Sequence, residues 1–334
     1  DSDLVANIRN GAIYYWEAAG GISTRAVLLS SLAGASDVPD EATQCLLSQG
    51  NKHLLALGAT PYGGGDFDPL LIRWSNQDDP ANWTPLVTNT AGFLRISRGS
   101  RIISGVATRQ ETLIWTESTL SSLQFLGTTD VFGLQELADN ISIISPRCQV
   151  TVNNVTFWMG LDKFYVYSGR VETLPCTLRN HVFNNINYEQ ADQIVSGTNE
   201  GYHEVWWFYP TADSLTNNAY VVYNYLEKVW HYGSIQRTAW LDTPLRSYPL
   251  GVGNNYVYNQ EYGTDADGIA MESYITSSDF DITDGEQFML VRRIIPDLSF
   301  QGSSAASPTA YVTVKPRNFP GANYTTETNK NIIE

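Results

Sequence analysis

The sequence predicts an all-β protein: a β-propeller of about six blades over residues 1–268, followed by a β-sandwich-like segment over residues 269–334. Three observations predict it. Only 16% of the 334 residues are charged, against 43% apolar and 12% aromatic; this mixture, rich in Tyr, Asn, Thr, Ser and Gly, favours strands and uncharged polar loops over amphipathic helices. Short apolar strands recur in pairs separated by tight turns. Trp74, Trp115, Trp158 and Trp206 fall 41, 43 and 48 residues apart, about the 40–50 residues that one propeller blade needs. Helical solenoids of similar period are excluded, because the units lack a 3.6-residue apolar repeat.

Taken in order, LVANI and AIYYWE make the first strand pair, HLLALG and LLIRWS the second, and TLIWTE and SSLQFL the third. VTFWMG with KFYVYS, EVWWFY with AYVVYN, and a weaker PLGVG with YVYNQ complete six. From the second pair onward a third strand leads each unit: ATQCLLS, IISGVAT, CQVTV, QIVSG and RTAWL. The first pair has no such leader, so the first blade is expected to start in mid-blade. Runs such as LLALG, FYVYS and VWWFY are almost continuously apolar, as strands covered on both faces by neighbouring blades should be. Large aromatics suit the wedge-shaped gaps between blades. A sandwich is the competing all-β arrangement for this region. Beyond residue 268, SYITSSDFDI, FMLVRRIIPDLSF and AYVTVKP alternate clearly and predict longer, sandwich-like strands. The stretch NFPGANYTTETNKNIIE reads as a linker.

The formal net charge is −15 and the pI near 4.6. A strong electrostatic grip on nucleic acid, which needs clustered Lys and Arg, is not expected. Cys45, Cys148 and Cys176 are far apart and odd in number, which predicts no disulfide framework and folding in a reducing compartment. No apolar run approaches about 18 residues, so no membrane-spanning helix is expected. The opening DSDLVANIRN has neither an initiator Met nor a leader pattern, and chain start and gene start are expected to differ.

The stretch RWSNQDDPANWTP poses the main chemical question. Asp78 and Asp79 between two tryptophans could be a general acid and base in an aromatic sugar cleft, but consecutive strand residues point to opposite faces and rarely flank one bond. The favoured reading is a turn: Asp79 accepts backbone N–H bonds, Pro80 fixes φ, and Trp83 folds back as an apolar plug. Trp74, Trp115, Trp158 and Trp206 are assigned to packing between blades. The sialidase-type hairpin Ser-x-Asp-x-Gly-x-x-Trp is not matched. Asp279, Asp281, Asp284 and Glu286 lack the regular alternate spacing of a calcium loop, and GTDADG is equally short of ligands. His53, His181, His203 and His231 have no metal-site spacing, although His203 and His231 could approach across one blade. No G-x-S-x-G occurs, and GGGDFDP lacks the Gly-Lys-Ser/Thr of a phosphate cradle. No catalytic, metal or cofactor residue is assigned, and the chain is read as not an enzyme.

Three long stretches carry a resemblance: DPLLIRWSNQDDPANWTP; ADNISIISP running into CQVTVNNVTFWMGLDKFYVYSGRVETLPCTLR; and GYHEVWWFYP with YVVYNYLEKVWHYG. They resemble propeller proteins of bacteriophage tails, of the tail nozzle or tail-tubular B type of short-tailed phages, related in role to packaged-DNA stabilization proteins. The resemblance spans about residues 1–320. It implies a virion tail component forming a homo-oligomeric ring, commonly a hexamer, attached to an adaptor or portal-side ring and holding tail fibres. Genomic DNA would pass through the lumen during ejection without specific binding, and no catalytic residue carries over. Family members are longer than this chain. An acidic lumen would let DNA slide, whereas one lined by arginines such as Arg292 and Arg293 would hold it. Tyr188, Arg246 and Tyr248, in loops between units, are the candidate subunit contacts. Two other readings stand beside this one: a carbohydrate-binding or glycan-cleaving receptor-recognition propeller, and a cellular propeller that recruits protein partners.

Overall fold

The computed structural model describes the chain except residues 1, 2, 49, 243–246, 264, 267, 271–273, 282–286, 302, 304, 326–329 and 334. Two compact units divide it, Asp1–Gly263 and Thr264–Glu334. The first is a six-bladed β-propeller, each blade an antiparallel sheet whose strands follow one another in chain order.

Sheet I holds β1 (Leu4–Asn7), β2 (Ile13–Trp16) and β3 (Val27–Leu28). Sheet II holds β4 (Ala42–Leu47), β5 (Leu54–Ala59), β6 (Asp68–Trp74) and β7 (Gly92–Arg95). Sheet III is β8 (Ile102–Ala107), β9 (Thr112–Thr116), β10 (Thr119–Phe125) and β11 (Phe132–Asp139). Sheet IV is β12 (Gln149–Val152), β13 (Val155–Met159), β14 (Phe164–Tyr167) and β15 (Val171–Leu174). Sheet V is β16 (Val195–Asn199), β17 (Glu204–Tyr209), β18 (Ala219–Asn224) and β19 (Val229–Gly233). Sheet VI is β20 (Ala239–Leu241), β21 (Leu250–Gly253) and β22 (Tyr256–Asn259).

Local chemistry sets the turns. Asn153-Asn154 joins β12 to β13, and Asn254-Asn255 joins β21 to β22, with all four residues at positive φ. Such two-residue turns match the strands' own twist, and Asn tolerates the left-handed region better than most residues. In β5 the register shifts at Gly58, whose φ is 57° and where a Cβ would lie 2.6 Å from the Thr43 hydroxyl. A bulge there bends the strand without a clash.

The middle strands are buried on both faces, as their apolar runs predict; β5 is buried throughout, and β9 likewise. The outermost strands alternate or open to solvent, as in β7 and β19. One apolar cluster runs through sheets III, IV and V, a second joins II to III, and a third joins I to II. In sheet I the end of β1 and the turn after it meet the start of β4, through Asn7 to Ala42, Asn10 to Thr43 and the Gly11–Ala42 bridge; in sheet II the end of β5 stands in the same place, Ala59 opposite Ala42. The last strand of sheet I, β3, is two residues long.

In the second unit, among the described residues, pairing is confined to β23 (Asp265–Ala266) with β24 (Ile269–Ala270) and β25 (Thr309–Val312) with β26 (Lys330–Ile333). Residues 274–281 and 287–300, read above as long alternating strands of a sandwich-like segment, contain no strand. Alternation makes a strand only when another edge takes up its backbone groups and a second layer covers its apolar face. Here Ile275, Phe288, Leu290 and Ile295 are 100%, 90%, 76% and 78% exposed.

Candidate functional site at the propeller axis

The residues singled out from sequence pack between blades. The Trp74 ring meets Phe132 of sheet III edge-on at 5.0 Å, and Trp115 of sheet III meets Trp158 of sheet IV edge-on at 5.4 Å. Trp206 stacks on Trp240 of sheet VI at 5.5 Å. Burying one indole removes about 150–250 Å² from water, worth roughly 4–6 kcal/mol before conformational entropy is subtracted. The four tryptophans do not share one register position. Trp115 pairs with Ser104 and Trp158 with Gln149; the matching residue in sheet V is Trp207, opposite Ser196, and in sheet II Leu57, opposite Gln44. Trp207 is fully buried and donates to the Cys148 carbonyl at 2.9 Å. Trp206 is only half-buried, and Trp74 sits one strand further out.

In RWSNQDDPANWTP the two carboxylates serve different partners. Asp78, at φ 56°, pairs with Lys52 at 2.9 Å in solvent, while Asp79 accepts the Ala81 N–H at 3.1 Å. Trp83 is completely buried and its indole N–H donates to the Pro80 carbonyl at 2.7 Å, closing the turn. Arg73, 1% exposed, lies behind it, ion-paired with Asp37 and donating to the carbonyls of Thr60 and Trp83. The carboxylate and carbonyls around its terminal nitrogens offset the cost of burying this guanidinium, while its Nε is left without a partner.

His203 leans on Tyr225, and His231 pairs with Glu204 at 3.3 Å, so the two histidines share no ligand position. His53 is sealed between sheets II and III against Phe132, with Thr90 at 3.1 Å from Nε2, and burial pushes its pKa below the usual imidazole value. Cys45, Cys148 and Cys176 are free; burial raises Cys45 to about 12 and Cys148 to about 11. Among the described residues no three His, Cys, Asp or Glu side chains group as metal ligands. Among them no helix is long and apolar enough to cross a membrane. Tyr188 is partly exposed, with its hydroxyl 3.0 Å from the Leu161 carbonyl; Tyr248 packs edge-on against Tyr262 at 5.0 Å. Arg246, Asp284 and Glu286, with Thr264 and Asp267 of GTDADG, lie outside the described residues.

What sequence reading missed is the axis. Polar side chains on β1, β4, β8, β12 and β16 tie neighbouring sheets together from I through to VI. Asn7 donates to the Ala42 carbonyl at 2.9 Å and accepts the Cys45 N–H at 2.9 Å. The Gln44 amide clamps the Gly105 peptide, giving to its carbonyl at 2.9 Å and accepting its N–H at 2.8 Å. Ser104 donates to the Pro146 carbonyl and receives the Gln149 amide, both at 2.6 Å. Ser196 donates from its backbone to Arg147 O and from its hydroxyl to Gln149 O, each at 2.9 Å. Thr198 gives its hydroxyl to Asp242, and Trp240 gives its indole N–H to Thr198 O, each at 2.7 Å. An inner strand has an open edge toward the axis, and these bonds satisfy backbone groups that would otherwise be unpaired. The signal was present as one polar residue in each of β4, β8, β12 and β16, at the position opposite the buried Leu57, Trp115, Trp158 or Trp207.

Beside this belt lies a cavity of about 420 Å³ lined by Asn7, Arg9, Thr43, Gln44, Arg147 and Asp192, with Pro146. Arg9 leaves sheet I and reaches past sheet II to donate to the Ile103 carbonyl of β8 at 3.0 Å. Arg101 precedes β8, Arg147 precedes β12 and Asp192 precedes β16, so the starts of three inner strands bring these charges to one end of the ring. Burial lowers the Arg9 pKa, Asp192 raises it, and Arg101 and Arg147 lower it again.

No protein-family model matches the chain, and no curated protein matches it. Among solved structures it is similar to Hsv2 of Kluyveromyces lactis, at 10% identity and TM-score 0.43 over 82% of this chain and 76% of that one. The AfRom2 CNH domain is similar at 11% identity and TM-score 0.39, over 76% of each chain. An apocarotenoid oxygenase mutant of Synechocystis is similar at 7% identity and TM-score 0.37, over 70% of this chain and 58% of that one. Likeness this loose bears on no activity.

Proposed function

We propose that this chain is a structural component of a short-tailed phage tail: a nozzle or hub subunit that assembles into a homo-oligomeric ring, attaches to an adaptor ring and fibres, and leaves a DNA-ejection channel. The reading rests on the three long stretches that resemble tail propellers. The observation that carries it further is the contrast in surface chemistry. Trp74, Trp83, Trp115, Trp158 and Trp207 are buried inside the propeller, which takes these five rings out of any sugar cleft. Meanwhile Ile275, Phe288, Leu290 and Ile295 are exposed on the second unit, and apolar surface of this kind suits contacts between subunits. The net charge of −15 suits a channel past which DNA must slide. Tyr188 and Tyr248 are proposed subunit contacts.

Light scattering and negative-stain imaging of the purified chain, with mass spectrometry of purified virions, test this. The expected outcome is a closed ring in solution and the chain among tail proteins. A stable monomer absent from virions would overturn it, and robust glycan turnover by that monomer would favour the carbohydrate reading.

A further inference from the structure

We propose that the axial cavity beside the inner-strand belt is an oxyanion site of the phosphate class, held by Arg9 and Arg147 with Arg101 at its border. The proposal does not rest on the tail role. Its first support is geometric: Arg9 crosses from sheet I to β8, and Arg147 reaches the same cavity from the start of β12, so two guanidinium groups line one space of about 420 Å³. That space holds many times the roughly 10–15 Å³ that one water needs on the same measure, enough for a phosphate or pyrophosphate with part of its hydration shell.

The second support is charge. Among the described residues none of Arg9, Arg101 and Arg147 lies within ion-pair distance of a carboxylate, whereas Arg73, Arg95, Arg98, Arg170 and Arg179 all do. Asp192 is the one carboxylate lining the cavity. Two guanidinium groups against one carboxylate line the cavity, with Arg101 near enough to act on Arg9; in a protein with fifteen more negative than positive charges, this is a local inversion of sign. Arg9 spends a donor on Ile103 O, which orients its planar fork and leaves donors for a second partner. Guanidinium groups fixed in this way bind phosphate oxygens in pairs, and a multivalent oxyanion relieves repulsion among all three. Asn7, Thr43 and Gln44 add neutral polar groups to the wall.

Calorimetric titration of the full chain with pyrophosphate, at constant ionic strength against chloride, tests the site. Binding saturable at one per chain is expected, weakened at least tenfold by Arg9→Gln with Arg147→Gln and left unchanged by Arg170→Gln on the outer edge of sheet IV. Single Arg9→Lys and Arg147→Lys variants, which keep the charge, are expected to lose affinity by smaller factors and serve if the double variant does not fold. Competition by a single-stranded oligonucleotide, lost in the same variants, would identify a nucleic-acid backbone as the phosphate source; no competition would identify a small ion. Pyrophosphate binding no better than chloride, or equally well bound by wild type and both lysine variants, would overturn the proposal.

Discussion

The propeller and the unit that follows it draw on similar residues and treat them in opposite ways. In the ring, Leu55, Ile72, Trp115 and Trp207 are sealed from water between sheets. In Thr264–Glu334, the apolar residues of FMLVRRIIPDLSF lie exposed and the segment forms no strand. The difference is not one of hydrophobicity. Sheets II to V each meet a neighbour with an apolar face of its own, and their inner strands are hydrogen-bonded from one sheet to the next. The second unit offers, among the described residues, two isolated two-stranded pairings, and a lone pair of strands has too little surface to cover an apolar face.

Trp207→Ala should break the comparison most severely if it is wrong. Removing this ring empties the contact with Phe164 of sheet IV and strips the Cys148 carbonyl of its donor. A loss of about 3–5 kcal/mol is expected in urea unfolding, against a change within about 0.5 kcal/mol for Phe288→Ala. Equal losses would mean that the second unit has a core of comparable weight.

A smaller effect should sharpen the role of the belt. Gln44→Ala leaves the N–H and carbonyl of Gly105 without their partner, and a loss of about 1–3 kcal/mol is expected. Amide exchange should speed up in β4 and β8 before it does in sheet V. Protection unchanged at Gly105 would show that the inner strands hold together by apolar contact alone.

The smallest effect is a dependence on acid. All four histidines belong to the ring, and His53 has a folded pKa lowered first by burial. Because the folded state resists the proton, the unfolded state binds more protons below about pH 6.5, and unfolding free energy should fall as pH drops from there toward the lowered folded value. Below that value the contribution is constant. His53→Gln should flatten this slope relative to wild type in melts between pH 7 and pH 5, and parallel curves would assign the acid sensitivity elsewhere.

The fold was largely legible because its signal is local and repeated. Hairpins such as VTFWMG–KFYVYS and EVWWFY–AYVVYN state their own pairing, and evenly spaced aromatics reveal the wedges they fill. Register was less legible: Trp206 and Trp207 are adjacent, and only strand pairing shows that Trp207 takes the position of Trp115 and Trp158. The axial site was not legible at all. Arg9, Arg101 and Arg147 stand in unrelated sequence contexts, and nothing between them marks a motif.

Composition and periodicity by themselves determined that the chain is β-rich and that its blades recur, and the Asp79-Pro80 step marked a turn. Tertiary structure alone decided which strand faces the axis, which alternating segments become strands, and which charges meet. The physical reason is that strand pairing and side-chain direction follow from a few consecutive residues, whereas an open edge, a covered face or a cluster of cations exists only once distant segments have packed together.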